Sequence, residues 1–478
     1  MRMDEHRDCF RLPARGLPLT AFEEHMLLDD RASHPMVIVA RFDFSGPAPL
    51  EKLHAAFDSV VRDEPLLSAR IHRPRFGRPR WVPGSPPLLR SSVAAEAASQ
   101  STAQTGPLPS IDPFSGPPLR AELLTRPGGW SVVIAVHHAA CDGLGLMGFV
   151  ERWLLAAASK TGRRKRNHAD AMAALRSRGR VAASWIEFAR MLPRLKVGLE
   201  GVQQYVARRV MRLDRPAAAG GGGQPSPSWE PRIVSAVLEP EDLRGLERRA
   251  RAAGVMVNDL LIAAMITAVA QVAQGMQGVQ DRGETRDDLW IRIGVPISLR
   301  TKSDHALPAA NRVSMVFIDR QPAASADHEE LVAGIHAEME LIRSHALGHI
   351  FPLSLEVGRL LPGGLQRTTE SSQAQSTAVL SNLGRCFHRS PLADGDDCIR
   401  VGDSCLDGWW MVPPVRPGTA FALATHETSG RRTLALHADP AAASEAEAAA
   451  LLDRMVLALR ERFALPADEG STTQWQAS

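Results

Sequence analysis

Two adjacent histidines, an aspartate and a glycine stand close together in VHHAACDG, positions 136–143: His137, His138, Asp142 and Gly143. A neutral imidazole takes a proton from an alcohol, amine or thiol near neutral pH, so this run has the makings of a general base. The apolar stretch before it, WSVVIAVH, predicts a strand in a sheet interior. Successive side chains at a strand end point to opposite faces, so one of His137 and His138 faces a cleft while the other packs. Gly143 allows close backbone approach or a positive φ in the turn that follows. Cys141, beside His138, raises a cysteine–histidine nucleophile as an alternative. The histidine pair also suits a metal, but no second cluster at ligand spacing accompanies it, so no metal site is expected.

The elements that must position these residues alternate in type. Strands are expected at 36–44 and 130–137 in the first half, and at 233–238, 290–295, 313–318, 378–381 and 433–438 in the second. Helical spacing covers 50–61, 143–158, 255–272, 328–346 and 442–462. Interleaving of this kind predicts an α/β or α+β layered architecture in two lobes. Four consecutive glycines, then proline and serine, mark a linker near mid-chain. The expected organisation is therefore a first lobe over 1–215, a linker over 216–229, a second lobe over 230–465 and a tail over 466–478. Residues 94–110 read as a surface excursion and 277–288 as a charged loop.

Composition narrows the function classes. The 478 residues carry a net charge of only +3, which argues against a nucleic-acid coat. The charge is uneven, because the stretch from Lys160 to Arg215 holds 15 basic and 4 acidic residues over partly helical apolar spacing. Such a segment is expected either to be a solvated crossover or to meet an anionic membrane, an acidic carrier or a phosphate. The five cysteines are odd in number and lack CxxC spacing, so a disulfide framework is not expected and a reducing cytoplasm is. The first sixteen residues show no apolar signal core. The apolar run at 255–272 carries Asn258 and Asp259, which makes a buried helix a better reading than a membrane span. Asn258 suits an N-cap and Asp259 the positive end of that helix.

HHAACDG matches the HHxxxDG signature of the condensation/acyltransferase superfamily, which includes chloramphenicol acetyltransferase, nonribosomal peptide condensation domains, plant acyltransferases and bacterial wax ester synthase/diacylglycerol acyltransferases. IDPFSGPPLRAELL at 111–124 resembles the segment preceding the motif in condensation domains. VRDEPLLSARI at 61–71 resembles their RHxxLR region, with Asp63, Glu64 and Leu67 departing from it. In the second half, GVMVNDLL, VPISLR…NRVS and AVLSNLG are similar to the VNDxxL, PVSLR…GNRxS and SNxxG patterns of the wax ester synthases. Pro118-Leu119-Arg120 departs from their PLW and is closer to condensation domains. The resemblance runs in order over nearly the whole chain.

It implies two chloramphenicol-acetyltransferase-like lobes with a tunnel at their interface, the pantetheine arm of the donor entering from one face and the acceptor from the other. His138 would be the catalytic base, with His137 in structural support. Asp142 would be structural and ion-paired, Arg300 being the expected partner of an otherwise costly buried carboxylate. Ser381 and Asn382 would sit at the tunnel as oxyanion donors. Cys141 falls at a variable motif position, and DGWW at 407–410 does not match the plant DFGWG pattern, so packing is expected of both. The implied activity is transfer of an acyl group from a thioester to a hydroxyl or amine, with an ester product favoured. Acyl-CoA or an acyl-phosphopantetheine carrier would serve as co-substrate, and no permanently bound cofactor is expected. The alternatives are a stand-alone amide synthase fed by acyl carrier proteins, a non-catalytic binding module, and a hydrolase.

Overall fold

The computed structural model describes residue 10 and residues 12–93, 111–160, 167–180, 195–213, 231–275, 288–370, 374–393 and 398–462. The expected excursion at 94–110, the linker at 216–229, the tail and much of the basic stretch at 160–215 lie outside those residues.

Period-two alternation builds the first sheet. In β2 (Val37–Ser45) the residues Ile38, Ala40, Phe42 and Phe44 pack into the core of the first half, while Val37 and Val39 face the other way. β7 (Gly129–His137) runs antiparallel beside it and is buried along its entire length, as its unbroken apolar run predicts. β6 (Leu119–Arg126) and β5 (Leu89–Val93) extend the sheet beyond β7, while β1 (Leu17–Pro18), β4 (Arg80–Pro83) and β3 (Ala69–His72) form a small sheet of their own. Two helices cover one face, Leu50–Val61 and Gly143–Ala157, and Trp153 Nε1 donates to Leu53 O at 2.9 Å between them.

The other edge of this sheet comes from the far half of the chain. β14 (Ser404–Val412) pairs antiparallel with β2, and β13 (Arg400–Val401) pairs with β14. Trp130, stacked on Phe44 with centroids 4.0 Å apart, donates to Ser404 Oγ at 3.0 Å and so anchors the visiting strand. The expected boundary at 230 therefore divides the chain but not the sheets. The residues of β13 and β14 leave the second lobe because their apolar side chains complete the first core.

The second sheet runs β11 (Val313–Arg320), β10 (Leu289–Ser298), β12 (Ala378–Arg385), β15 (Phe421–Thr428), β16 (Arg431–Ala438), β9 (Arg232–Leu238), with β8 (Arg209–Val210) alongside β10. The helix Val257–Gly275 is long and apolar enough to cross a membrane, yet residues 260–270 form the centre of the second core. A third apolar cluster joins the lobes, with Val37, Val39, Ala135, Trp410 and Val412 of the first sheet against Ile233 and Ala435 of the second. Each lobe is a helix-covered sheet, so the α/β layered architecture is observed.

Three expectations need correction. Cys398 and Cys405 form a disulfide, because the short β13–β14 turn brings their Cα atoms to 6.1 Å. Helix Val257–Gly275 starts one residue before Asn258, so the cap is Met256, whose N–H donates to Asp259 Oδ2 at 2.9 Å. The basic stretch is not uniformly solvated: Arg178 is buried and donates to both carboxylate oxygens of Glu23, at 2.7 and 2.8 Å.

Three histidines are packed away from water in the neutral form. Burial lowers His25 and His426 to about 3 and His437 to about 4. In the unfolded chain these groups protonate near 6.5, so unfolding takes up protons and stability falls as pH drops below that value. Between about pH 6 and 5 the three together cost about 4 kcal/mol per pH unit at full effect. Urea midpoints measured across that range should fall steeply, and a flat profile would contradict the neutral packing.

Candidate functional site

β7 ends at His137, and the chain then turns through residues 138–141 before the helix Gly143–Ala157 begins. The turn is fastened on every side. His138 N–H donates to Met36 O at 2.7 Å. Asn311 Nδ2 donates to the carbonyls of His138 and Ala139, at 2.8 and 2.9 Å. His137 is fully buried, accepts from Ala139 N–H through Nδ1 at 3.1 Å, and places Nε2 3.4 Å from Asp30 Oδ2. The alternation thus sends His137 into structure and leaves His138 half-buried at the wall of a cavity.

Asp142 caps the helix, with Oδ1 accepting from Gly145 N–H at 2.8 Å. Its Oδ2 accepts from Arg300 Nη1 and from Arg312 N–H, both at 2.8 Å. Arg300 donates onward to Ala310 O at 3.0 Å. The carboxylate therefore ties a first-lobe helix to the second-lobe segment after β10. Gly143 does not adopt a positive φ, and a Cβ there would sit 2.9 Å from Leu383 Cδ2, so that side chain would have to shift.

The cavity holds about 100 Å³ and brings His138, Asp142, Gly143, Arg300, Ser381 and Asn382 together. His137 is not part of it. Ser381 and Asn382 arrive on β12, where Ser381 is in register with Ala424 of β15. The Asn382 carboxamide is engaged, accepting from Gly384 N–H at 2.9 Å and donating to Asn258 Oδ1 at 3.2 Å. The Ser381 hydroxyl has no partner among the described residues. Two further cavities share walls with this one. A cavity of about 230 Å³ shares Leu144 and Leu383 with it. A third of about 30 Å³, lined by Phe22, shares Val313 with it, and shares Thr20, Arg178, Arg180 and Glu356 with a fourth of about 460 Å³. The Phe22 ring lies edge-on to His138 at 5.9 Å between centroids.

Electrostatics separates the two reactive groups of the motif. Burial lowers the His138 pKa below 6.5, partly opposed by a backbone hydrogen bond and by the Asp142 charge, so the imidazole is neutral at physiological pH. Burial also pushes the Cys141 thiol well above its ordinary value, and Asp142 adds to the effect. Cys141 is fully buried and packs in the first core. DGWW is likewise structural: Trp409 stacks on Phe42 and His426 and donates to Thr428 Oγ1 at 3.0 Å.

Four contributors were not assigned roles from the sequence. Asn311 and Arg312 belong to the quoted NRVS pattern, so a signal existed. Asp30 and Phe22 carried none, lying more than a hundred residues from the motif.

No family model matches the chain, and no curated protein matches it. Solved structures do. The first condensation domain of the CDA synthetase is 16% identical, with 94% of this chain and 96% of that one covered at a TM-score of 0.62. The starter condensation domain of rhizomide synthetase, in a mutant complex with C8-CoA and Leu-SNAC, is 14% identical over 95% and 96% at 0.61. Polyketide synthase associated protein 5 from Mycobacterium tuberculosis is 13% identical over 94% and 98% at 0.59. The chain has the condensation-domain fold, with two chloramphenicol-acetyltransferase-like lobes, over nearly its full length.

Removing one member of the Asp142–Arg300 pair leaves the other charge uncompensated. Asp142→Asn and Arg300→Ala should each lower unfolding stability by about 3 kcal/mol or more. The double variant should lose much less than the sum in a denaturant cycle, and strict additivity would show the pair to be uncoupled.

Proposed function

We propose that this chain transfers an acyl group from a thioester donor to a hydroxyl or amine acceptor, with His138 as general base. The observation that carries the reading is the His138 imidazole, held neutral by burial and opening onto a cavity with further cavities on either side. His138 takes the proton from the acceptor O–H or N–H as that atom attacks the thioester carbonyl. The carbonyl oxygen gains negative charge in the tetrahedral intermediate, and the Ser381 hydroxyl, which lines the same cavity as His138, is the donor we assign to it. Collapse breaks the C–S bond, and the imidazolium returns its proton to the departing thiolate. Asp142 and Arg300 hold the turn and touch no reacting atom. His137 supports it through Asp30.

The donor we favour is acyl-CoA over an acyl carrier protein, and the product an ester over an amide. A neighbour of the same fold was captured with C8-CoA, which supports a thioester donor. The second half's likeness to wax ester synthases supports the hydroxyl acceptor.

Thiol release from a panel of acyl-CoA donors, with alcohol and amine acceptors, tests the reading. Release should require an acceptor, and His138→Ala should reduce it about 10²–10⁴-fold while folding normally. Equal release with and without acceptor would indicate hydrolysis instead, and a fully active His138→Ala protein would remove the base. The pH profile gives a second check. Because the imidazole must be neutral and its pKa is lowered, kcat/KM should stay level as pH falls through 6.5 and drop only below it. A break at or above 6.5 would contradict the buried base.

A further inference from the structure

Large apolar side chains left in water are ordinary one at a time, and several gathered in one place mark an interaction surface. The end of the helix Ile350–Leu360 holds such a group: Val357, Leu360 and Leu361 are 51%, 74% and 57% exposed, and Pro362 and Gly363 beyond them are exposed too. Val357 and Leu360, three residues apart, share one side of the helix, and Leu361 follows directly. The opposite side carries Leu355, which is buried with Ala21 and Leu365. Beside this helix end stands the β3–β4 loop, residues 73–79, where Phe76 is 84% exposed. Leu19 joins the two, donating its N–H to Pro79 O at 3.0 Å and accepting from Arg359 Nη1 at 3.2 Å.

Positive charge surrounds this apolar group. The loop carries Arg73, Arg75 and Arg78, all exposed. On the helix, Glu356 and Arg359 line the cavity of about 460 Å³ together with Arg80, Arg176 and Arg180. Arg359 is neutralised by Glu356 and by Glu24, the latter at 3.4 Å. Arg80 keeps its charge, because its N–H groups go to the carbonyls of Arg15 and Gly16 at 2.6 and 3.0 Å. Arg176 and Arg180 are exposed, and among the described residues their guanidinium groups have no partner. Apolar side chains standing out from a basic surface are what an element lying in a bilayer interface requires: the former enter the boundary between headgroups and acyl chains, and the latter meet lipid phosphates. These side chains project from a helix end and a loop instead of lining a groove, which suits a soft bilayer better than a folded partner.

We propose that the end of the helix Ile350–Leu360 and the β3–β4 loop, with the arginines around them, rest on the surface of a bilayer that contains anionic lipid. The inference stands apart from the acyl-transfer reading, because the contact is measured without turnover.

Sedimentation of the full chain with vesicles tests it, using phosphatidylcholine alone and phosphatidylcholine mixed with phosphatidylglycerol. The chain should bind the mixed vesicles far more tightly than the neutral ones, and that binding should weaken as salt rises. Phe76→Ser/Leu360→Ser/Leu361→Ser should weaken it about tenfold or more by removing the apolar area that enters the interface. Arg176→Ala/Arg180→Ala should also weaken it about tenfold or more, since each cation near an anionic surface contributes to binding. Leu360→Trp/Leu361→Trp, which keeps the apolar area, should bind as the wild type does. All these changes fall on exposed side chains, so Tm should stay at the wild-type value. No binding to the mixed vesicles at low salt would overturn the proposal, the result expected if an acidic protein covers this face. Binding lost in the arginine variant alone would also overturn it, since the contact would then be charge without insertion. Unchanged binding in both the serine and the alanine variants would overturn it too, because the contact would lie elsewhere on the chain.

Discussion

Asp142 is one carboxylate serving three donors from segments far apart in the chain. Gly145 N–H belongs to the helix it caps, while Arg300 Nη1 and Arg312 N–H come from the two ends of the segment between β10 and β11. A carboxylate this buried must be matched by hydrogen bonds and opposite charge, because each uncompensated buried ion costs several kcal/mol. Sliding one lobe against the other would break two of the three bonds and leave Oδ2 bare. The relative position of the lobes is therefore specified by an interaction with little tolerance. The cavity beside His138 is what that position leaves open.

The visiting strand β14 supplies the second constraint. It carries Met411 to the cavity wall and is followed at once by Pro413, while Trp410 and Val412 face the seam between the sheets. Second-half residues are thus covalently bound into the first sheet, and backbone pairing with β2 sets their register. A site assembled from two independent domains would inherit their relative motion. Here both walls are strands and helix ends of shared cores, the kind of rigid support that precise positioning of a base requires.

Most of the regular elements were legible because their signal is local. The predicted strands at 36–44 and 130–137, and the helix at 50–61, match their observed counterparts to within a residue at each end. The turn motif was legible as chemistry for the same reason, since His137, His138 and Asp142 lie within six positions. β14 was not, because Asp407 and Gly408 interrupt its alternation and its pairing partner lies more than three hundred residues away. Asn258 shows the same limit. Its type suits a cap, but the carboxamide is used instead in a contact with Asn382 that only the folded lobe creates. Asn311 illustrates it from the other side, because a residue in a quoted pattern acquires its purpose from two carbonyls in the opposite lobe.

The same force, loss of water, acts on His25, His138, His426 and His437, so a depressed pKa cannot by itself mark the reactive one. His25, His426 and His437 are each at most 2% exposed, and hydrogen bonds or stacking close their remaining faces: Thr368 on His25, Trp409 on His426, Pro413 O on His437. They can give or take a proton only when the fold opens. His138 experiences the same desolvation but keeps a surface toward a cavity that has further cavities beside it. Desolvation makes its imidazole a proton acceptor at neutral pH, and access makes that state usable. The neighbouring thiol shows why burial must be read with the sign of each group: the change that keeps His138 in its reactive form keeps Cys141 in its unreactive one. One environment therefore favours the neutral form of both groups, the imidazole proposed as base and the thiol beside it.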